Sequence, residues 1–491
     1  MEQMISTISE MIWSTPMLYL CIGVGLLFTI LTRFVQVRYL KDMVTLLFNG
    51  KSSESGVSSF QALTLALSGR VGVGNIAGVA TAIAFGGPRA VFWMWFIAFI
   101  GSASAFIEST LAQIYKVKDK GEYRGGPAYY IEKGMGKKWY ALIFAFAVLL
   151  AMSVLGPGVQ ANSITAGLNN AFSIPPLTSG IVLVVILGLI ILGLIIFGGV
   201  KRIAAVVQYV VPFMAIGYVL VSLVIIGLNI QALPGVLALV FKSAFALDST
   251  FGGIIGMAIA WGVKRGVYSN EAGQGTGAHP AGAAEVSHPA KQGLVQAFSV
   301  YIDTLLVCSA TAFMILITGS YSTQAPDGSF IVDHLKGVEA GPQYTQQAVE
   351  TVLPGFGSGF VAVSLVFFAF TKIMSQYYIA ETNLAYVMKG KQNKIVSIFL
   401  KAALLATTLY GSIRTAEAAW ALADIGVGIM VWLNLIAILI LAKPALITLK
   451  DYRQQRKLGI DPIFSPRKLE IQNADYWDEE YQHDQDKENV S

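Results

Sequence analysis

The sequence predicts an all-α polytopic membrane protein with eleven transmembrane helices: one extra amino-terminal helix, then two five-helix halves of opposite orientation. Three observations carry this. Of 491 residues, 55% are hydrophobic and 13% charged, with mean hydropathy +0.63, whereas a soluble chain carries about 25% charged residues. The apolar residues fall in runs near the ~20 needed to cross a bilayer. Two of those runs are interrupted by glycine, asparagine and charge, at corresponding places in the two halves.

The runs lie at 14–32, 58–86, 90–115, 140–170, 178–198, 203–228, 250–276, 292–319, 356–388, 393–412 and 416–442. The first is no signal peptide: Glu2 and Glu10 precede it without Lys or Arg, and no small-residue cleavage pattern follows. Ile181–Gly198 is a continuous apolar stretch suited to a scaffold helix. Lys and Arg then set orientation, because they concentrate in cytoplasmic loops. One set of alternate loops plus the carboxyl tail holds 25 of them, and the opposite loops hold four: Arg89, Lys242, Lys336 and Arg414. The amino terminus is therefore expected outside and the carboxyl terminus in the cytoplasm. The organisation reads as 1–56 extra helix and loop, 57–230 first repeat, 246–442 second repeat, and 443–491 polar tail. That tail is basic to Lys468 and acidic beyond, and reads as a solvated, disordered arm with a membrane-proximal basic patch. The long outside segment Ser320 to Gly355, with Pro342 and Pro354, suggests an ordered lid or re-entrant piece.

Several function classes fall away. Cys21 and Cys308 lie inside apolar runs, so there is neither a disulfide framework nor a CxxC metal signal. No basic stripe suits nucleic acid. Neither HExxH nor a paired-aspartate arrangement occurs, which argues against an enzyme, and no repeated filter or charged ring suggests a channel. His279, Glu285 and His288 are too loosely spaced for a zinc site. No cofactor is expected. A transporter remains, with a non-transporting amino-acid sensor as its rival.

The first interrupted span reads Leu65-Ala-Leu-Ser-Gly-Arg-Val-Gly-Val-Gly-Asn-Ile-Ala-Gly78, and the second runs from Ile259 through Trp261, Gly262, Lys264, Arg265, Gly266, Asn270 and Glu271 to Gly277. Glycine costs ~1 kcal/mol per helical site, and a charge at mid-bilayer ~3 kcal/mol or more. Helices that accept such losses unwind, and the freed backbone lines a cavity. Asn75 and Asn270, 195 residues apart, mark the two places. Paired breaks of this kind point to a secondary transporter's site. Half-helix amino termini offer N–H groups to a carboxylate, and unwound carbonyls offer oxygens to an amine or small cation. The ligand that suits both is an amino acid. Among the charges near the breaks, Arg70 with Glu271 and Lys264 with Asp303 are candidate gate pairs.

Arg70-Val-Gly-Val-Gly-Asn-Ile-Ala-Gly-Val-Ala80, Gly86-Gly-Pro-Arg-Ala-Val-Phe-Trp-Met-Trp95, Trp261-Gly-Val-Lys-Arg-Gly-Val-Tyr-Ser-Asn-Glu-Ala-Gly273 and the stretch Phe370 to Asn383 together resemble the alanine/glycine:cation symporter family, and within it the bacterial AlsT-type branch. The resemblance covers all but the last ~40 residues. It implies a LeuT-type 5+5 inverted repeat and sodium-driven uptake of alanine, glycine and, in this branch, glutamine across the bacterial plasma membrane. It further implies that Gly72, Gly74, Asn75 and Gly78 cradle the amino acid. Trp261, Gly262 and Val263 would contribute from the second break, with Trp261 as a gate. Gln160 would face the site, and Phe370, Thr371 and Met374 would set substrate choice. A structural sodium would lie between carbonyls of Ser68 and Val71 and two adjacent hydroxyls on the ninth span. Those positions are Thr371 and Lys372, so a lysine stands where the second hydroxyl belongs. Its ammonium could replace sodium and open a route to proton coupling or sodium independence; a Lys372 paired with a nearby carboxylate would leave sodium coupling intact.

Overall fold

The computed structural model describes residues 2–48, 50, 52–196, 199–245, 252–389, 391 and 394–481. It is overwhelmingly helical. α1 (Glu2–Ile12) and α2 (Thr15–Leu31) join at Trp13. α3 (Ser59–Arg70) starts in a capping box in which Ser58 and Gln61 satisfy each other's backbone N–H. α4 (Gly74–Gly86) is bent 55° from it. The long helices that follow are α5 (Arg89–Ile114), α6 (Lys138–Phe172) and α7 (Lys201–Leu228). Next come α8 (Gly252–Asn270), the short α9 (Ala278–Gly282) and α10 (Pro289–Thr318). The chain ends with α11 (Pro342–Val352), α12 (Gly357–Val387), α13 (Lys394–Ser412), α14 (Ala416–Ile440) and α15 (Ala442–Lys457).

Among the described residues, eight helices are long and apolar enough to cross a membrane, nine if α3 and α4 form one span. This is a multi-pass membrane protein. α8, carrying Lys264 and Arg265, is not among them, and the apolar helices Pro176–Ile190 and Ile230–Ala244 are shorter. Parts of the expected spans at 178–198 and 250–276 lie outside the described residues.

Polarity is arranged for lipid. α7 exposes Tyr209, Phe213, Ile216, Leu220 and Leu223, a stripe at helical spacing. α5 is buried on every side from Ile100 to Ile114, including Glu108, Ser109, Thr110 and Gln113. It packs against α2, α8 and α10 and is the central post of the bundle.

Two short antiparallel hairpins stand outside the all-helical expectation. β1 (Val117–Asp119) pairs with β2 (Glu122–Arg124), Val117 opposite Arg124. β3 (Ser322–Gln324) pairs with β4 (Phe330–Asp333). The second hairpin and α11 are the ordered form of the 320–355 segment: Thr323 Oγ1 donates to the Ile83 carbonyl at 3.1 Å, so this piece sits over the end of α4.

The disordered tail is overturned as far as Tyr481. Phe464, Ile471, Tyr476, Trp477 and Tyr481 are buried. Average composition hid them: the acidic residues around them face outward while the apolar ones dock. Residues 482–491 lie outside the description.

Candidate functional site

α3 ends at Arg70 because Val71 turns to an extended conformation (φ −71°, ψ 98°), and Gly72 and Val73 lead into α4. The freed amides meet side-chain oxygens. Gly72 N–H donates to Asn75 Oδ1 at 2.8 Å, and Val73 N–H to Gln160 Oε1 at 3.4 Å. Asn75 Nδ2 donates to Asp303 Oδ1 at 2.6 Å, tying the break to α10.

The second break lies later than the sequence suggested. α8 is unbroken to Asn270, and the unwound stretch is Glu271–Gly277, where Glu271 (φ 58°), Gly273 and Gly275 are left-handed. Gly262 and Gly266 have a packing reason instead. A Cβ at Gly262 would stand 2.5 Å from Trp93 Cβ and 2.6 Å from the Ala90 carbonyl, and one at Gly266 would stand 2.4 Å from Ile97 Cγ2. They are small residues at i, i+4 that let α8 approach α5 closely. Val263 is buried in the same continuous helix.

The first break and the end of α8 meet where Gly74 lies against Tyr268 and the Cα of Ser269, with little room for a side chain. Gln160 bridges them, its Nε2 donating to Tyr268 Oη at 3.1 Å. Asp303 accepts from Asn75, from Ser269 Oγ at 2.8 Å and from Thr304 Oγ1 at 2.8 Å, and Cys308 Sγ lies 3.2 Å from Ser269 Oγ. Lys372 Nζ is 3.6 Å from Glu271 Oε1 and 4.8 Å from the Tyr268 ring centre. A small cavity between Tyr268, Glu271, Gln274, Lys372 and Gln376 has room for about one water.

Other expected residues are not brought together. Thr371 Oγ1 donates to the Phe367 and Phe368 carbonyls of its own helix, and Ser68 and Val71, whose carbonyls were expected to face it, lie at the end of α3. Lys372 and Ser375 come against the end of α3: a Cβ at Gly72 would meet Lys372 Cδ at 2.4 Å, and one at Gly69 would meet Ser375 Oγ at 2.8 Å. Phe370 and Met374 each stand two residues from Lys372, about 200° around the helix, and so turn away from the breaks. Gate pairs also differ. Lys264 and Arg265 both hold Asp424, at 2.7 and 2.5 Å. Arg70 bonds to Ser299 and Gln296, and Glu271 belongs to Lys372.

Trp261 stacks on Phe85 at 4.7 Å. The ring against Gly78 is Trp420, 3.4 Å from where a Cβ would be, with the Arg265 guanidinium 4.2 Å from its centre. Trp420, Ser375 and Gln376 are site residues that sequence reasoning missed; only Ser375 had a signal, as a hydroxyl three residues from Lys372.

The sequence matches the family described as Sodium:alanine symporter over residues 1–466. The chain belongs to the sodium:alanine symporter family. Similar relatives include a putative sodium/proton-dependent alanine carrier protein of Bacillus subtilis, 67% identical over 99% of this chain and 100% of that one. A sodium/proton-dependent alanine carrier protein of Bacillus sp. PS3 is 55% identical over 91% and 99%. A probable sodium/glutamine symporter of Bacillus subtilis is 42% identical over 96% and 95%. In fold the chain is similar to a manganese transporter of Eremococcus coleocola, with TM-score 0.52, 12% identity, and 84% of this chain and 89% of that one covered.

Proposed function

We propose that this symporter-family chain carries a small neutral amino acid (alanine or glycine, with glutamine as a further candidate) into the cell together with one monovalent cation, by alternating access. The observation that carries the reading is the meeting of two unwound segments around buried charge. Arg70 and Lys372 face Glu108, Glu271 and Asp303, all buried, and Lys264 and Arg265 share Asp424 beside them. A zwitterion adds no net charge to this set, and one sodium or one proton as the coupled cation follows the names of the Bacillus carriers. A substrate carboxylate would take the Gly72 and Val73 amides now held by Asn75 and Gln160. Gly74 and Gly78 leave space for the backbone to approach, and Trp420 covers the ligand.

A Lys372 that pairs with a carboxylate is the arrangement that leaves sodium coupling intact; proton coupling is the second reading. Lys372 is paired with Glu271 beside the end of α3, near the place where sodium was expected. Protonation of Glu271 would release Lys372, whereas sodium would have to displace its ammonium.

The architecture in this reading is eleven crossings, with two inverted five-helix repeats at 57–230 and 246–442 behind the extra helix. The amino terminus is outside and the tail cytoplasmic. Support comes from the 25-to-4 division of Lys and Arg between alternate loops and from one break near the start of each half.

Labelled alanine and glutamine uptake into proteoliposomes, with sodium and pH gradients imposed separately, tests all of this. Uptake on a sodium gradient alone supports sodium symport and makes Lys372 structural. Uptake only on a pH gradient supports the Lys372–Glu271 reading, and Lys372→Thr should then introduce sodium dependence. No uptake of either amino acid under either gradient overturns transport in favour of a sensor.

A further inference from the structure

The carboxyl tail docks on the segment that continues the second break. Lys116, just beyond α5, is fully buried, and its Nζ donates to the Ala284 carbonyl at 3.1 Å. Three rings enclose the same ammonium. Tyr123 of β2 is centred 4.2 Å away, and Tyr476 and Trp477 of the tail are centred 4.6 and 5.0 Å away. Tyr476 Oη donates to Tyr123 Oη at 2.7 Å, and Trp477 Nε1 to the Gln113 carbonyl at 2.8 Å. Gln113 in turn donates through Nε2 to the Ala284 carbonyl at 2.8 Å. Tail, β1–β2 hairpin and the stretch around α9 thus share one joint.

That joint packs on the Ala284 carbonyl just past α9, which follows the second break directly. On its other side Arg124 of the hairpin pairs with Glu381 of α12 at 2.8 Å, and His279 of α9 lies 2.7 Å from Asn383 Nδ2. For the site to open towards the tail face, α9 and the hairpin must part from α12. Cation–π contacts strengthen when desolvated. The rim pairs Lys291–Asp461, Lys133–Asp475 and Arg467–Asp478 each have an exposed partner and hold weakly. The aromatic pair, not the rim charges, holds the tail down. Tyr476 and Trp477 also lie beyond residue 466, where the family match ends.

We propose that Tyr476 and Trp477 form a latch: docked around Lys116, they hold the tail-side gate of the amino-acid site closed, and their release lets it open. This rests on the transport site proposed above. The chain supplies its own reporter, because Cys308 lies at the breaks, 3.3 Å from Asn75 Nδ2, and the other cysteine, Cys21, is removed by Cys21→Ser.

The test uses the full chain with Cys21→Ser in vesicles whose tail face is outward, labelled with a membrane-impermeant maleimide. Trp477→Ala should raise the rate of Cys308 labelling about ten-fold, as a shift of ~1.4 kcal/mol in the opening equilibrium gives. Alanine uptake should rise with it while the unfolding midpoint holds, and Trp477→Phe should lie between. Tyr476→Leu removes a ring and a hydroxyl but keeps apolar volume, and it is read the same way if Trp477→Ala fails to fold. Unchanged Cys308 labelling in the folded variants, or labelling that rises only with loss of folded protein, overturns the latch. Faster labelling in a chain with no uptake under any gradient keeps the latch and removes the transport reading instead.

Discussion

At the first break the helix stops without strain: Val71 becomes extended, and the loose amides of Gly72 and Val73 are met by Asn75 and Gln160. At the second, a glutamate is held in a left-handed conformation, φ 58°, and its carboxylate does two jobs. It faces Lys372 and accepts from Thr276 Oγ1 at 2.8 Å. One break offers donors to an anion; the other offers charge to a cation. A left-handed non-glycine residue is uncommon and persists where its surroundings over-determine it, and here the ion pair and the hydroxyl supply that. The difference teaches that the two breaks are not equivalent: the first presents amide donors, the second a buried ion pair, and in the proposed reading they serve the substrate's carboxylate and the coupling ion.

Removing the charge at the second break should break this comparison most severely. Glu271→Gln leaves the Lys372 ammonium buried without its partner, and breaking a buried pair from one side costs about 3–5 kcal/mol. Alanine uptake is expected to fall at least ~100-fold, with a lowered unfolding midpoint. Glu271→Gln combined with Lys372→Met, which removes both charges, should recover the midpoint but not the uptake. Recovery of uptake in the double variant would show that the pair is scaffold and not coupling machinery.

Glycine substitutions sharpen the comparison at the next level. A Cβ at Gly72 meets the Lys372 side chain at 2.4 Å, whereas one at Gly262 meets Trp93 Cβ and the Ala90 carbonyl. Gly72→Ala should push Lys372 off Glu271, so its effect falls mainly on uptake, about ten-fold or more for a loss of ~1.4 kcal/mol. Gly262→Ala overpacks two helices and should cost ~1–3 kcal/mol of stability, with uptake per folded molecule nearly kept. Thermal unfolding in detergent, alongside uptake normalised to folded protein, separates the two.

The same pair of glycines marks how far sequence reading reached. Gly72, Gly74 and Asn75 stood out because polar and glycine residues cluster there at membrane depth, Gln160 because the resemblance implied it, and Gln160 lies against Gly72 and Val73. Gly262 carried the same composition in a helix that never unwinds. Glycine at mid-membrane has two uses, unwinding and close packing, and only the neighbouring helix decides between them. Lys372 was legible as an anomaly, yet its partner was not, since Glu271 is 101 residues away in sequence and reaches it only through the left-handed turn. Phe370 and Met374 stand close to Lys372 in sequence, and helical periodicity turns both away. The tail was misread because Tyr476 and Trp477 lie among acids that face water.

The smallest expected effect concerns the far end of the second break, where His288 joins the stretch after α9 to the tail. Its Nδ1 accepts from the Ala290 N–H at 3.2 Å, which leaves the proton on Nε2, 3.3 Å from Asp451 of α15. Burial of the ring holds its pKa below the usual histidine value, with the Lys291 ammonium adding to this and Asp451 and Asp461 opposing it. The Asp451 carboxyl is in turn held low by the His288 hydrogen bond. The undocked histidine therefore binds a proton near pH ~6.5, and the docked one only at lower pH. Docking is then fully stable above that pH and weakens as pH falls towards the depressed value; Asp451, whose own window lies lower still, does not contribute there. Hydrogen exchange of residues 460–481, corrected for intrinsic rates, should be several-fold less protected at pH 5.5 than at pH 7.5, because each pH unit by which docking delays proton binding is worth ~1.4 kcal/mol. His288→Gln should remove the dependence. The first break has no contact with this histidine, so the exchange of residues 71–78 should stay level across the same range; a parallel change there would mean that acid loosens the whole bundle and not the tail's hold on the second break.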